Sequence, residues 1–213
     1  MLAKLQYISQ GSPAAEQIKN ILEALDAGCK WVQLRFKNAS EEEIKAVAEK
    51  VKVRCTEYNA AFIINDHPKI AKEVDADGVH LGLNDVSVAE ARKIVGNGKI
   101  IGGTANTFEH IVQRSAEGCN YIGLGPFRFT TTKEKLSPIL GAGGYAAITE
   151  KMRQQKIFTP VFAIGGIVLT DIETILQTGI YGIAVSGVVT NSADKKQIVQ
   201  HLNSSLYAEA NHR

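Results

Sequence analysis

Cysteine is scarce in this chain: three of 213 residues, Cys29, Cys55 and Cys119, odd in number and far apart. That spacing excludes a disulfide framework and a clustered thiolate metal site, and it points to a reducing compartment. Long apolar runs are missing as well. No stretch approaches the roughly 18 apolar residues that cross a bilayer, and residues 1–7 lack the continuous apolar region of a signal peptide. The expectation is a cytoplasmic protein without a membrane partner. Neither sign of charge is in excess: 24 Lys and Arg face 22 Asp and Glu, a net +2 with both signs interspersed. Without a basic tract no nucleic-acid surface is expected, so any anion binding has to be local. No Gly-x-Gly-x-x-Gly opens a helix after the first apolar run, which counts against a dinucleotide-binding fold. No linker or low-complexity tract divides the chain, and residues 1–213 read as one domain.

What is present is ordinary for a globular protein, 45% hydrophobic and 22% charged, in a chain long enough for a sizeable core. Short apolar runs recur at 5–9, 31–36, 61–64, 78–81, 100–102, 121–124, 161–164 and 182–185. Helical patterns lie between them at 14–27, 41–57, 67–74, 87–95, 107–117, 144–155 and 171–178, and 194–207 closes the chain. Two helices open on a Ser-x-x-Glu capping box, Ser40 with Glu43 and Ser87 with Glu90. Gly28, Gly96, Gly118 and Gly179 stand where helices end. Strands alternating with helices argue for βαβ units and a parallel sheet. Eight such units predict an α/β fold, a single-domain (β/α)8 TIM barrel, with an open doubly wound sheet as runner-up.

In such a barrel the chemistry gathers where strands end and loops begin. The second strand places Gln33, Arg35 and Lys37 on one face by simple alternation. An Arg inside a barrel mouth needs a partner, and a phosphate offers one in bidentate geometry. The third unit ends in Asn65-Asp66 and the fourth in Asn84-Asp85. Neighbouring strands lie about 4.8 Å apart, so Asp66 and Asp85 can share one magnesium ion, whose shell water and substrate phosphate would complete. The competing role for each is a helix N-cap, stronger for Asp66, which precedes His67-Pro68, than for Asp85, since Ser87 already caps its helix. His80 reads either as a substrate-orienting group or as a satisfied core histidine. At the fifth strand end Gly102-Gly103 permits close backbone approach and Thr104 offers a hydroxyl.

Gly165-Gly166 and Ser186-Gly187 follow the last two strands, the usual place for a phosphate in this architecture. The sixth strand ends in Gly125-Pro126 and opens into Phe127-Arg128-Phe129 and then Thr130-Thr131-Thr132-Lys133. That polar segment runs to about Gly144 with no clear element of its own, and a loop of that length reads as a functional lid, a disordered tract or a solvated surface connection. Two anion sites and a magnesium site in one mouth suit two phosphorylated small-molecule substrates, one of which loses pyrophosphate.

These residues, in this order and spacing, resemble the thiamine-phosphate synthase family over nearly the whole chain. The matching motifs are Gln33-Leu-Arg35-Phe-Lys37, Ile64-Asn65-Asp66, Asp77 through Asp85, Tyr121 through Pro126, Thr130 through Lys133, and Ile164-Gly-Gly166. The resemblance implies a barrel that joins hydroxymethylpyrimidine diphosphate to hydroxyethylthiazole phosphate by a dissociative route. It implies Gln33 and His80 beside the pyrimidine, Arg35, Lys37, Asn65 and Lys133 on the diphosphate, and Asp66 and Asp85 on Mg2+. It further implies Thr130, Thr132, Gly166, Val185 and Ser186 on the thiazole phosphate, with Thr104 joining Arg35, Lys37 and Lys133 as the catalytic set.

Two departures from the family pattern stand out. Its Gly-x-Ser-x-His is Gly102-Gly103-Thr104-Ala105-Asn106 here, and Asn106 is no general base. Phe127-Arg128-Phe129 replaces the usual aromatic-Pro. A thiazole tautomerase relative would keep the histidine and lose Thr130-x-Thr132-Lys133, the reverse of this chain. A non-catalytic barrel sensing thiamine precursors would have no use for Asp66, Asp85 and Lys133. Assembly into a homo-oligomer is left open.

Overall fold

The computed structural model describes residues 2–129 and 138–208. Eight parallel strands close into a barrel in sequence order: β1 (Leu5–Ile8), β2 (Trp31–Leu34), β3 (Ala61–Asn65), β4 (Gly78–Leu81), β5 (Ile100–Ala105), β6 (Tyr121–Leu124), β7 (Val161–Ile164) and β8 (Gly182–Val185). Helices α1 (Ala14–Asp26), α2 (Glu41–Glu57), α3 (Pro68–Glu73), α4 (Val88–Val95), α5 (Phe108–Ala116), α6 (Gly141–Gln154), α7 (Ile172–Gln177), α8 (Gly187–Thr190) and α9 (Lys195–Ala208) pack around it, with a 3-10 turn at Leu169–Asp171 before α7. Closure is complete, since β1 pairs with both β2 and β8. The open-sheet alternative is thereby excluded. Among the described residues no helix is long and apolar enough to cross a membrane.

The strands are too short to stand alone, and burial on both faces holds them. Outward residues such as Val32, Leu34, Ile64 and Ile122 meet the helices in one continuous core. Inside, Trp31, Ile63, Tyr121 and Phe162 form a separate plug. Its rings meet edge to face, Trp31 lying 4.8 Å from Tyr121 and 4.9 Å from Phe162 between centroids, an arrangement aromatic quadrupoles favour. Above the plug the lining turns polar, with Gln33, His80, Asn65 and Thr104.

Both capping boxes form, Ser40 with Glu43 and Ser87 with Glu90. Gly28, Gly96, Gly118 and Gly179 all take positive φ just past helix ends. Three expectations need correction. β2 stops at Leu34 rather than Phe36, because the Arg35 N–H turns to the Ser9 hydroxyl (2.9 Å). β5 runs on to Ala105, so Gly102 and Gly103 lie within the strand. Helix α6 begins at Gly141, not 144, because Leu140 and Gly141 donate to the Pro126 and Phe127 carbonyls (3.0 and 3.1 Å) and set the first turn.

Candidate active site

The C-terminal ends of the strands carry three linked groups of polar residues. The first begins at β2. Gln33 is buried and donates from Nε2 to Asn65 Oδ1 at 2.8 Å, while Gln33 Oε1 is buried without a partner among the described residues. A buried acceptor left empty costs about 1–3 kcal/mol, so this oxygen is suited to a ligand donor. Just past β3, Asp66 takes a left-handed φ of 65° and its N–H reaches the His80 carbonyl (2.8 Å). Such conformations in non-glycine residues concentrate at functional sites. His67, not Asp66, occupies the N-cap of α3, so the capping role weighed for Asp66 does not apply.

Asp66 pairs with Lys37 on one side and hydrogen bonds to Asp85 on the other. Asp85 in turn accepts the Gly82 N–H at 2.6 Å, and Ser87 caps α4 as expected. Two carboxyls in contact cannot both ionise freely. Burial and then the neighbouring Asp66 push Asp85 up from 3.8 to about 6. At Asp66 burial resists ionisation, but hydrogen bonds from Asp85 and Lys37 and the Lys37 charge outweigh it and hold this carboxyl below its usual range. The two carboxyls oppose one another's charge, an unfavourable arrangement that a hard cation with oxygen preference would relieve. Among the described residues no group of three or more His, Cys, Asp or Glu could hold a metal.

The second group lies deeper. His80 Nδ1 is 3.0 Å from the Tyr121 hydroxyl, and its Nε2 is 3.0 Å from Thr104 Oγ1. Gln6 Nε2 donates to the same tyrosine oxygen at 3.2 Å. His80 is thus well satisfied, yet its network opens onto the mouth through half-buried Thr104. Gly102 and Gly103 have another use than close ligand approach. A Cβ at Gly102 would collide with the Tyr121 ring, and one at Gly103 would lie 2.8 Å from both Arg114 Cδ and Cys119 Sγ. Asn106 points its amide at the Gly125 carbonyl, tying the fifth loop to the sixth.

The third group lines a cavity of about 640 Å3 that includes Gln10, Arg35, Phe129, Gly165, Gly166, Val185, Ser186, Gly187 and Asn191. Gly165 and Gly166 take φ of 96° and 68°, and a Cβ at Gly166 would lie 2.6 Å from the Phe129 carbonyl oxygen. Glycine is required at both positions. Ser186 donates to Gln10 Oε1 (3.0 Å), and Gln10 Nε2 donates to Asn191 Oδ1 (3.3 Å). Burial lowers the Arg35 pKa while the Asp66 charge opposes the shift, and a guanidinium stays charged in either case. Arg128 bonds to buried Asp171 at 2.6 Å, fixing the start of the sixth loop against the seventh.

Of the residues expected from sequence, Gln33 meets Asn65, Lys37 meets Asp66 and through it Asp85, His80 meets Thr104, and Arg35 shares one cavity with Gly166, Val185 and Ser186. Thr130, Thr132 and Lys133 lie outside the described residues. Sequence reasoning missed Gln10, Asn191 and Tyr121. Gln10 had a signal, since Ser9-Gln10 directly follows a strand; Asn191 had none, because α8 was not anticipated.

A family model described as thiamine monophosphate synthase matches residues 5–189. The chain is 58% identical over 208 residues to a thiamine-phosphate synthase of Flavobacterium johnsoniae, covering 98% of each chain. It is 48% identical over 193 residues to the thiamine-phosphate synthase of Bacteroides thetaiotaomicron, covering 91% of this chain and 92% of the relative. Among solved structures, a thiamine phosphate pyrophosphorylase from Pyrococcus furiosus superposes with a TM-score of 0.83 at 29% identity, with 96% of each chain covered.

Proposed function

The chain belongs to the thiamine monophosphate synthase family and is a transferase of that type; from this premise we propose how its own residues join hydroxymethylpyrimidine diphosphate to hydroxyethylthiazole phosphate, or its carboxylated form, releasing pyrophosphate. One observation carries the assignment of roles. The Lys37–Asp66–Asp85 cluster and the Gly166–Ser186 cavity lie at the same barrel mouth, with Arg35 between them.

The residues fit a magnesium ion: two carboxylates pressed together, one of them raised to about 6, are an oxygen donor pair that needs a cation. When bound, the ion neutralises the departing diphosphate. Lys37 and Arg35 share that task, and Asn65, held by Gln33 (2.8 Å), faces the same leaving group. The vacant Gln33 Oε1 suits an exocyclic amine of the pyrimidine, with the His80–Thr104 pair along the ring. Ser186 and the Gly166 turn hold the thiazole phosphate and bring its ring nitrogen in line with the carbon that loses diphosphate.

No side chain here is asked to be a nucleophile. Catalysis rests on charge neutralisation and alignment, and effective molarities for aligned reactants account for several kcal/mol of barrier lowering. Lys133, Thr130 and Thr132 belong to the same reading through the family pattern. The deciding experiment measures pyrophosphate release with both substrates and titrated magnesium. Release without the thiazole partner, or none with both present, would overturn these roles.

A further inference from the structure

Arg114 on α5 lies outside the barrel wall and is only 4% exposed. Glu117, one turn on, accepts from Nη1 at 2.9 Å and balances its charge. The other donors point at the strand ends. Nη2 donates to the Gly82 carbonyl at 2.7 Å, and Nε lies 3.4 Å from the Thr104 carbonyl. Gly82 is the residue whose N–H holds Asp85 Oδ2 (2.6 Å), and Thr104 is the residue whose hydroxyl meets His80. Room for the arginine stem comes from Gly103, where a Cβ would lie 2.8 Å from Arg114 Cδ.

A planar guanidinium fork holds two carbonyls and the Glu117 carboxylate in fixed directions, whereas an ammonium has three donors but no fork to fix their geometry. Both backbone groups of Gly82 are then fixed, the N–H by Asp85 and the C=O by Arg114. We infer that Arg114 is a positioning residue: it clamps the fourth loop to the end of β5 from behind the barrel and so presents the Asp85 carboxylate to the metal–diphosphate. This rests on the reading of Asp66 and Asp85 as the magnesium carboxylates. Groups that orient metal ligands typically change metal affinity by about 10–100-fold when removed.

The test is magnesium binding followed by calorimetry in the presence of inorganic pyrophosphate, with no turnover, alongside KM for the thiazole phosphate. Arg114→Gln should weaken magnesium binding about 10-fold or more and leave the thiazole KM unchanged, since Ser186 and Gly166 lie across the mouth. Arg114→Lys should bind magnesium several-fold more weakly than the wild type, because a compact ammonium lacks the planar fork that spans the Gly82 and Thr104 carbonyls and Glu117 together. Glu117→Gln, which touches neither loop end, should change it little. Wild-type magnesium affinity in Arg114→Gln, or in Arg114→Lys if the glutamine variant does not fold, overturns the inference. So does a thiazole KM that rises in step, which would indicate general loosening. Asp85→Asn separates the two levels. If it too binds magnesium like the wild type, the metal assignment itself is wrong; if it alone loses binding, only the role of Arg114 is.

Discussion

Replacing Gly102 by alanine should be among the most damaging single-methyl additions this chain can receive. The new Cβ would lie 2.5 Å from the Tyr121 hydroxyl oxygen and closer still to two ring carbons. Tyr121 cannot give way, being fully buried and packed edge to face against Trp31 and Phe162. Overpacking a tight core costs typically 1–3 kcal/mol. Forcing the ring aside also breaks the hydroxyl contacts to His80 and Gln6, at about 1 kcal/mol each. The sum is about 3–5 kcal/mol, a large share of the 5–15 kcal/mol typical of a folded protein.

Urea unfolding by circular dichroism measures this loss, with Gly98→Ala as the control. Among the described residues nothing lies within 4 Å of a Cβ at Gly98, so that variant should stay within about 0.5 kcal/mol of the wild type. Adding Tyr121→Phe to Gly102→Ala should not rescue it, because the clashing ring carbons remain. Turnover of folded Gly102→Ala should also fall, since His80 loses the partner at Nδ1. A Gly102→Ala protein within about 1 kcal/mol of the wild type would refute the claim that this glycine exists to admit Tyr121.

That glycine also illustrates where sequence reasoning succeeds and fails. The barrel was legible because the apolar runs are short, regularly spaced and separated by helical periods, and β4, β6, β7 and β8 end where those runs end. Gly102-Gly103 misled because glycine is a poor strand former. Here the missing side chains make room for Tyr121 on one face and Arg114 on the other, a fact that exists only in three dimensions. Gly141-Ala-Gly-Gly looks equally unhelical, and tertiary bonds to Pro126 and Phe127 start α6 there. Helix α8 has four residues, too few to display a period. At the mouth, charge just past strand ends singled out Arg35, Lys37, Asp66 and Asp85, and the structure brings Lys37, Asp66 and Asp85 into contact. Arg114 was not, because a lone arginine in a helix reads as solvated surface unless the carbonyls it meets are known.

Asp66→Ala or Asp85→Ala should cut turnover by roughly 100-fold or more while far-ultraviolet dichroism stays that of the wild type; near-normal magnesium-dependent rates in both would refute the metal pair. With Asn106 held on the Gly125 carbonyl, the protein should not interconvert thiazole carboxylate phosphate tautomers, and rates comparable to coupling would contradict that. Ser186→Ala should raise KM for the thiazole phosphate several-fold without moving that for the diphosphate, since Ser186 lines the Gly166 cavity. The last prediction concerns stability without magnesium. Asp85 lies at about 6 in the folded chain, above its ordinary 3.8, through burial and the charge of Asp66. A carboxyl raised on folding holds its proton more tightly in the native state. Folding is therefore weakened as pH climbs from about 4 through 6 and stays weakened above. Asp85→Asn keeps an oxygen for the Gly82 N–H and removes the charge. Magnesium-free Asp85→Asn should match the wild type at pH 4 and exceed it by about 1 kcal/mol at pH 7.5, a figure already reduced for partial solvent screening. Saturating magnesium with pyrophosphate should reverse the order, because only the wild type gains binding energy. Denaturation midpoints that track each other from pH 4 to 8 would show that the two carboxyls do not strain one another.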